Sequence, residues 1–552
     1  FLDHHVEVML GMEYYNKYQR GFEAQGQGAP TDDLPDLSLT DKGEGKRTIN
    51  SWHEKQRILS FFGRLNYDFK DKYLLSFVFR RDGYSSLLGD NRWGFFPGVS
   101  AGWIFGREDF IKEAIPVMSF GKLRASYGIN GNASGIGAYT LQGSYGSSNS
   151  NGSFNYNGNT SYLITELPNP NLRWEKTATF EVGADLSFFA NRLNTNLTYY
   201  NRLTSDKYAA LSFPTSTGFS SVTNNNGEFR NQGIEIELSG KIIDSKDWTW
   251  SASGNIAFNK NKIVSLPDNG MERNRINAFQ VYTGNGDEKK WVGGQQEGQE
   301  PGILYLYQAD GIYRSYDEIP ANLVRKYGSR TYYGPEAWNK LTAEQQNATT
   351  NFPIQPGDTK FHDVNGDDVI DEFDKVKVGA TSPRWTGGFN TTLRWKNFQL
   401  YGRFDYALGF WLYENSGTQS TTPWFMGCYQ GTYNTPTMYY DTWSESNPNA
   451  KYPRYLFADQ NGKNNYIAST MFAYRGDYLA IREISLSYSL PESVAKMLKM
   501  QRAEVSITGQ NLGYITGAKN VGSPEANPKD NGAVGQGYSL PRTILFGVNL
   551  TF

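Results

Sequence analysis

Apolar and polar residues alternate with a period of two along most of this chain. At the C-terminus Ile544, Phe546, Val548, Leu550 and Phe552 share one face, and Thr543, Leu545, Gly547, Asn549 and Thr551 share the other. Successive side chains of an extended strand point to opposite sides, so this pattern predicts a strand with one apolar face. The same alternation recurs with Phe180, Val182, Ala184, Leu186 and Phe188, with Ile234, Ile236 and Leu238, with Phe389, Thr391, Leu393 and Trp395, and with Ile484, Leu486, Tyr488 and Leu490. About fourteen such strands are expected, near 2–15, 56–69, 72–82, 92–105, 120–130, 173–188, 193–204, 228–240, 248–261, 383–396, 398–410, 477–490, 501–511 and 542–552.

The connections carry as much information as the strands. Long ones at 16–55, 83–91, 131–172, 205–227, 262–382, 411–476 and 512–541 alternate with short ones at 70–71, 106–119, 189–192, 241–247, Asn397 and 491–500. Every long connection therefore falls at one end of the strands. Transmembrane antiparallel β-barrels have this asymmetry, with short periplasmic turns and long extracellular loops. The polar faces carry Glu235, Glu237, Arg394, Arg403 and Asp405, which suits a wet lumen, and Trp248, Trp250 and Trp395 sit near strand ends, where interfacial aromatic girdles lie. The alternative is a secreted β-rich glycan-binding or glycan-cleaving protein, which would alternate in the same way.

Composition narrows the classes further. Among 552 residues are 37 Tyr, 33 Phe, 13 Trp and 58 Gly, yet only 38% of residues are hydrophobic. Many aromatic strands joined by large polar loops produce this balance. A net charge of −2 leaves no basic footprint for nucleic acid. One cysteine, Cys428, excludes a disulfide framework, and His4, His5, His53 and His362 are too scattered for a histidine metal cluster. His4 and His5, adjacent on a strand, must face opposite sides, one lumen and one surface. No apolar run is long enough for a transmembrane helix. No nucleophile–base pair or phosphate-cradling loop stands out, so no catalytic residue is assigned and the chain is not read as an enzyme.

Seven stretches in order resemble the SusC-like family of TonB-dependent outer-membrane transporters. They are Leu123–Asn132, Asn169-Pro-Asn-Leu-Arg-Trp-Glu175, Asn231–Leu238, Tyr478–Pro491, Ser506-Ile-Thr-Gly-Gln-Asn-Leu512, Ser523-Pro-Glu-Ala-Asn527 and Tyr538–Phe552. The resemblance covers at least 123–552. It implies a barrel of about 22 strands, of which this chain would supply the C-terminal part, 1–552, with the plug and roughly eight leading strands lying elsewhere. It further implies active import of a bulky nutrient, an oligosaccharide or peptide, driven by TonB, in outer-membrane lipid, under a SusD-like lipoprotein lid seated on the long loops. Trp411, Trp424, Phe425 and Tyr429 in those loops are able to stack on sugar faces, but packing of the loops on one another is the simpler use of them.

Within the long loop 262–382 lies a second signal. Asp363-Val-Asn-Gly-Asp-Asp-Val-Ile-Asp-Glu-Phe-Asp374 has the length of a calcium-binding EF-hand loop. Asp363, Asn365, Asp367, Asp371 and Asp374 fall at positions 1, 3, 5, 9 and 12, and the backbone carbonyl of Val369 falls at position 7. Hard oxygen donors at this spacing suit calcium, in a structural role. Position 6 is Asp368 where glycine is expected, and position 12 is Asp374 where glutamate is expected. Similar runs occur in SusC-like extracellular loops. The competing reading is a solvated acidic turn without an ion.

Overall fold

A computed structural model describes residues 3–34, 36–43, 45–149, 152–153, 155–157, 159–414, 441–454, 467–518, 523–525, 533–534 and 540–552. Its body is one fourteen-stranded sheet whose spatial order is the chain order. The strands are His4–Gly26, Arg47–Phe69, Tyr73–Tyr84, Trp93–Trp103, Met118–Asn132, Glu175–Phe188, Leu193–Ser212, Ser221–Asp244, Trp248–Ser265, Trp385–Trp395, Phe398–Leu408, Tyr478–Ser489, Arg502–Thr516 and Thr543–Thr551. Each pairs antiparallel with the next.

Register turns fourteen separate alternations into two continuous faces. Val548 pairs with Val505, Ile507 with Leu486, Leu400 with Leu393, and Ile236 with both Leu197 and Ile256. The apolar positions thus align across strands, and many stay uncovered: Phe546 is 82% and Val548 70% exposed. An apolar belt this broad, left uncovered by the protein itself, is matched to hydrocarbon. At the short-turn end Trp248 stacks on Trp395 at 5.7 Å, Trp395 on Phe398 at 6.0 Å, and Phe398 packs against Tyr488 at 4.6 Å. This chain of rings is an interfacial girdle. On the first strand His4 lies 4.8 Å from the Phe69 ring and is hydrogen-bonded to the Tyr67 hydroxyl at 2.8 Å, while His5 faces the opposite, polar side.

Sequence dictates the tight turns. Lys70 and Asp71 both take positive φ, 56° and 51°, between paired Phe69 and Tyr73. That is the primed-turn geometry that matches strand twist.

Four strands run furthest beyond what their alternation indicated. Residues 16–26 and 47–55 are strand and only 27–46 connects them: His4–Gly26 and Arg47–Phe69 stay in unbroken register from His4–Phe69 to Gly26–Arg47. Likewise 205–227 is mostly ladder, pairing out to Ser212–Ser221. Among the described residues, the longest connection folds into a body of its own. Residues 266–382 build short sheets around a core of Tyr307, Tyr313, Ile319, Leu323, Tyr332, Ile354, Phe361 and Ile370, which Ile467 from the next long connection completes. A second core unites Leu306 with Tyr413, Tyr452 and Phe472. Arg454 Nε meets the fully buried Asp358 at 2.6 Å across the same seam. The two connections thus form one packed module at the long-loop end.

Candidate functional site: the polar wall and its rim

The inward face opposite the apolar belt is mostly polar. Arg124 reaches Asp185 at 3.4 Å and Asn196 at 3.1 Å. Beside them Glu237, Asn255, Asn390, Arg403 and Asp405 line a concavity of about 750 Å³. The charges are mixed, so the wall offers donors and acceptors without a single-sign field. All come from the polar half of the alternation, as expected from sequence.

The most concentrated constellation was not assigned from sequence. The pairing of Tyr478–Ser489 with both neighbours shifts register between Ile481 and Glu483. This bulge re-aims the intervening Arg482. Arg482 Nε then meets Asp405 at 2.6 Å, and its two terminal nitrogens meet both oxygens of Glu525 at 2.6 and 2.5 Å. Tyr514 donates its hydroxyl to the same carboxylate. Glu525 belongs to the Ser523–Asn527 motif, so the last long connection is fastened to the wall by a fork of parallel bonds. Arg482 holds the Glu525 carboxyl below the usual carboxylate range. The signal in the sequence was the motif itself, whose partner only the bulge reveals.

The 169–175 motif is a second fastening. Trp174 packs edge-on against Phe96 at 5.4 Å and donates from its indole to the Arg92 carbonyl at 3.0 Å. Glu175 accepts from Asn132 and from the Tyr208 backbone, both at 2.8 Å, and Asn169 donates to the Thr223 carbonyl at 2.8 Å. One short motif thereby ties several connections together at the rim. Trp411, considered for sugar stacking, packs against Gly379 with Arg475 over its ring at 5.3 Å. Trp424, Phe425 and Tyr429 lie outside the described residues.

The 363–374 loop takes the compact turn its spacing suggests. Asp363 accepts from the backbone of Gly366 and Asp368, both at 2.8 Å, and Asp374 accepts from Val364 at 2.8 Å and Asp371 at 2.7 Å. Asp367 accepts from the Val369 backbone and Asp371 from Phe373, both at 2.8 Å. Asp368 takes a positive φ of 61°, so it does what glycine does at that position. Ile370 is buried beneath, in the module core. The Asn365 amide donates to Asp287 at 2.8 Å, while its buried oxygen has no partner among the described residues. Asp374 is fully buried, and burial, with Asp371 and Asp363 beside it, pushes its carboxyl up to about 6. As they stand, no three acidic, histidine or cysteine side chains among the described residues are close enough to hold a metal.

The TonB-dependent receptor-like β-barrel family model matches residues 2–324. The chain belongs to that family. It is 28% identical over 558 residues to TonB-dependent receptor P3 of Formosa agariphila, covering 100% of this chain and 51% of that protein. It is 27% identical over 563 residues to TonB-dependent receptor SusC of Bacteroides thetaiotaomicron, covering 99% of this chain and 48% of that protein. Among solved structures, the RagAB peptide transporter superposes with a TM-score of 0.72 at 23% identity, over 100% of this chain and 54% of that one. This likeness shows the fold of the TonB-dependent barrel. The chain spans about half the length of the curated relatives it matches.

Proposed function

We propose that the protein containing this chain imports a bulky nutrient, an oligosaccharide or a peptide, across the outer membrane of a Gram-negative bacterium, energised by TonB. The observation that carries this reading is the two-faced sheet. One side is apolar and uncovered along fourteen strands, while the other is polar and concave. A barrel closed from such a wall encloses a wet passage. A SusD-like lipoprotein is the lid we infer, seated on the packed module at the long-loop end. The module supports this because it is already folded, so a partner meets a formed surface and does not have to order a free loop. Loss of uptake when TonB is deleted, with the protein still in the membrane, tests the import. Recovery of the protein alone from mildly solubilised outer membranes would contradict the lid.

We further infer that residues 363–374 bind calcium as a structural ion. Asp363, Asn365, Asp367, Asp371 and Asp374 would supply side-chain oxygens and Val369 its carbonyl. The unpartnered Asn365 oxygen and the buried Asp374 carboxylate support this assignment, because each costs free energy that a cation would offset.

A further inference from the structure

Where the module joins the barrel wall there is a cavity of about 590 Å³ with no charged residue in its lining. In a protein with 110 charged side chains, 54 basic and 56 acidic, this neutrality sets the cavity apart from the mixed-charge lumen wall. Phe279 and Tyr305 meet edge to face at 5.8 Å on one side of it. Asn261, Asn277, Gln295, Thr381 and Ser382 supply its polar residues, and Ile276, Ile303 and Leu304 line the rest.

The framework around the cavity is built tightly. Ile276 and Gln295 exchange two backbone hydrogen bonds of 2.9 Å as an isolated bridge. A Cβ on Gly294 would come within 2.3 Å of the Ile276 carbonyl, so only glycine permits this crossing of two chain segments. Gly293 abuts the Phe279 ring in the same way, and Gln296 donates from its amide to the Gly293 carbonyl at 3.1 Å. On the barrel side Ile263 donates to the Gln299 carbonyl at 2.9 Å and Thr381 to the Gly302 carbonyl at 2.8 Å. The crossing pairs Ile276 with Gln295, and Asn277 and Gln295 are both exposed to solvent. Lys375 packs over the Phe279 ring at 4.9 Å but does not line the cavity.

The geometry points to a subsite at the lumen mouth for one uncharged, polyhydroxylated ring, a neutral saccharide unit of a longer chain. An aromatic wall covers the apolar face of a sugar ring, and planar amides bond its hydroxyls in pairs. A charged residue of a peptide or acidic glycan would lose hydration in this cavity, whose lining supplies no counter-charge. The volume lies within the range of small-molecule sites. This subsite rests on the import reading and narrows its substrate from oligosaccharide or peptide to neutral oligosaccharide.

The test uses the full-length protein, purified in detergent, against an array of neutral oligosaccharides, acidic oligosaccharides and peptides. Phe279→Leu keeps apolar bulk without the flat ring, and Gln295→Ala removes an exposed amide, so neither threatens the fold. The subsite predicts capture of neutral oligosaccharides, at least tenfold weaker in each variant at unchanged melting temperature. Capture of charged ligands only, or neutral binding unchanged in both variants, overturns it. Uptake of the bound oligosaccharide by cells with and without TonB separates the two readings. TonB-independent uptake with variant-sensitive binding removes the import reading and leaves the subsite standing. TonB-dependent uptake with variant-insensitive binding does the reverse.

Discussion

Arg482 shows how one side chain organises a loop far from it in sequence. Its guanidinium bridges Asp405 on the wall and Glu525 in the last connection. Glu525→Gln keeps the shape and removes the charge, and weakening a partly buried fork of this kind is expected to cost about 1–3 kcal/mol. Limited proteolysis should then cut within 517–542 while the barrel stays intact. Arg482→Lys should behave alike, since an ammonium cannot make the fork. The pH dependence follows from the lowered Glu525 carboxyl. A carboxyl depressed by folding stabilises the folded state above its unfolded value of 4.5 and loses that contribution as pH falls through its lower folded value. Protection of the loop should therefore be unchanged from neutral pH down to about 5 and fail only below the usual carboxylate range. Protection that fails near pH 6 would point to a different group. At this scale the sequence marked the motifs without their use. Ser523–Asn527 and Asn169–Glu175 stood out as resemblances, but their partners Arg482, Arg92 and Asn132 are brought near by a bulge and by strand register, which no local pattern encodes.

At the scale of the strand, alternation was legible wherever one face meets lipid. All fourteen strands lie where Leu, Ile, Val and aromatic residues alternate with polar ones. The ends were not legible. His4–Gly26 is 23 residues long, whereas about 9–11 residues cross a bilayer. Beyond the membrane both faces of a ladder are wet, so the alternation fades although the hydrogen bonds continue. That is why 16–26 and 47–55 read as loop in sequence and are strand in the structure. The facing itself is testable on the last strand. Val548 lies on the lipid side and Asn549, paired with Glu504, on the inner side. Arginine at mid-membrane on a barrel's lipid face costs about 2–4 kcal/mol, so Val548→Arg should lower the yield of heat-modifiable, membrane-inserted protein well below that of Asn549→Arg. Equal yields would undo the facing.

At the scale of the whole molecule, the long-loop end is a folded body. The sequence located the 262–382 connection but gave no sign that it shares a core with the next long one, because that core assembles from scattered single residues: Leu306, Tyr413, Tyr452 and Phe472. Phe472 is fully buried between the two connections, and Phe472→Ala is expected to cost about 3–5 kcal/mol locally. Hydrogen exchange should rise in both connections together and stay low in the barrel strands. The 363–374 loop was legible in spacing and turn. What spacing could not show is the burial of Asp374, which comes from packing in the module. Chelation with EDTA should raise protease cleavage within 262–382, calcium should restore protection, and magnesium, which demands stricter octahedral geometry, should restore less. A cleavage pattern indifferent to chelator would remove the ion.

The account stands on a wall with lipid on one side and a wet passage on the other. Single spin labels along Leu193–Ser212, in a cysteine-free background of the full-length protein in bilayers, read that division residue by residue. Labels at Asn196 and Thr198 should collide with a water-soluble nickel complex, and labels at Leu197 and Tyr199 with oxygen dissolved in the bilayer, reversing at every step. Collision with the nickel complex at all four positions would describe a sheet in water on both faces and would contradict a transport barrel.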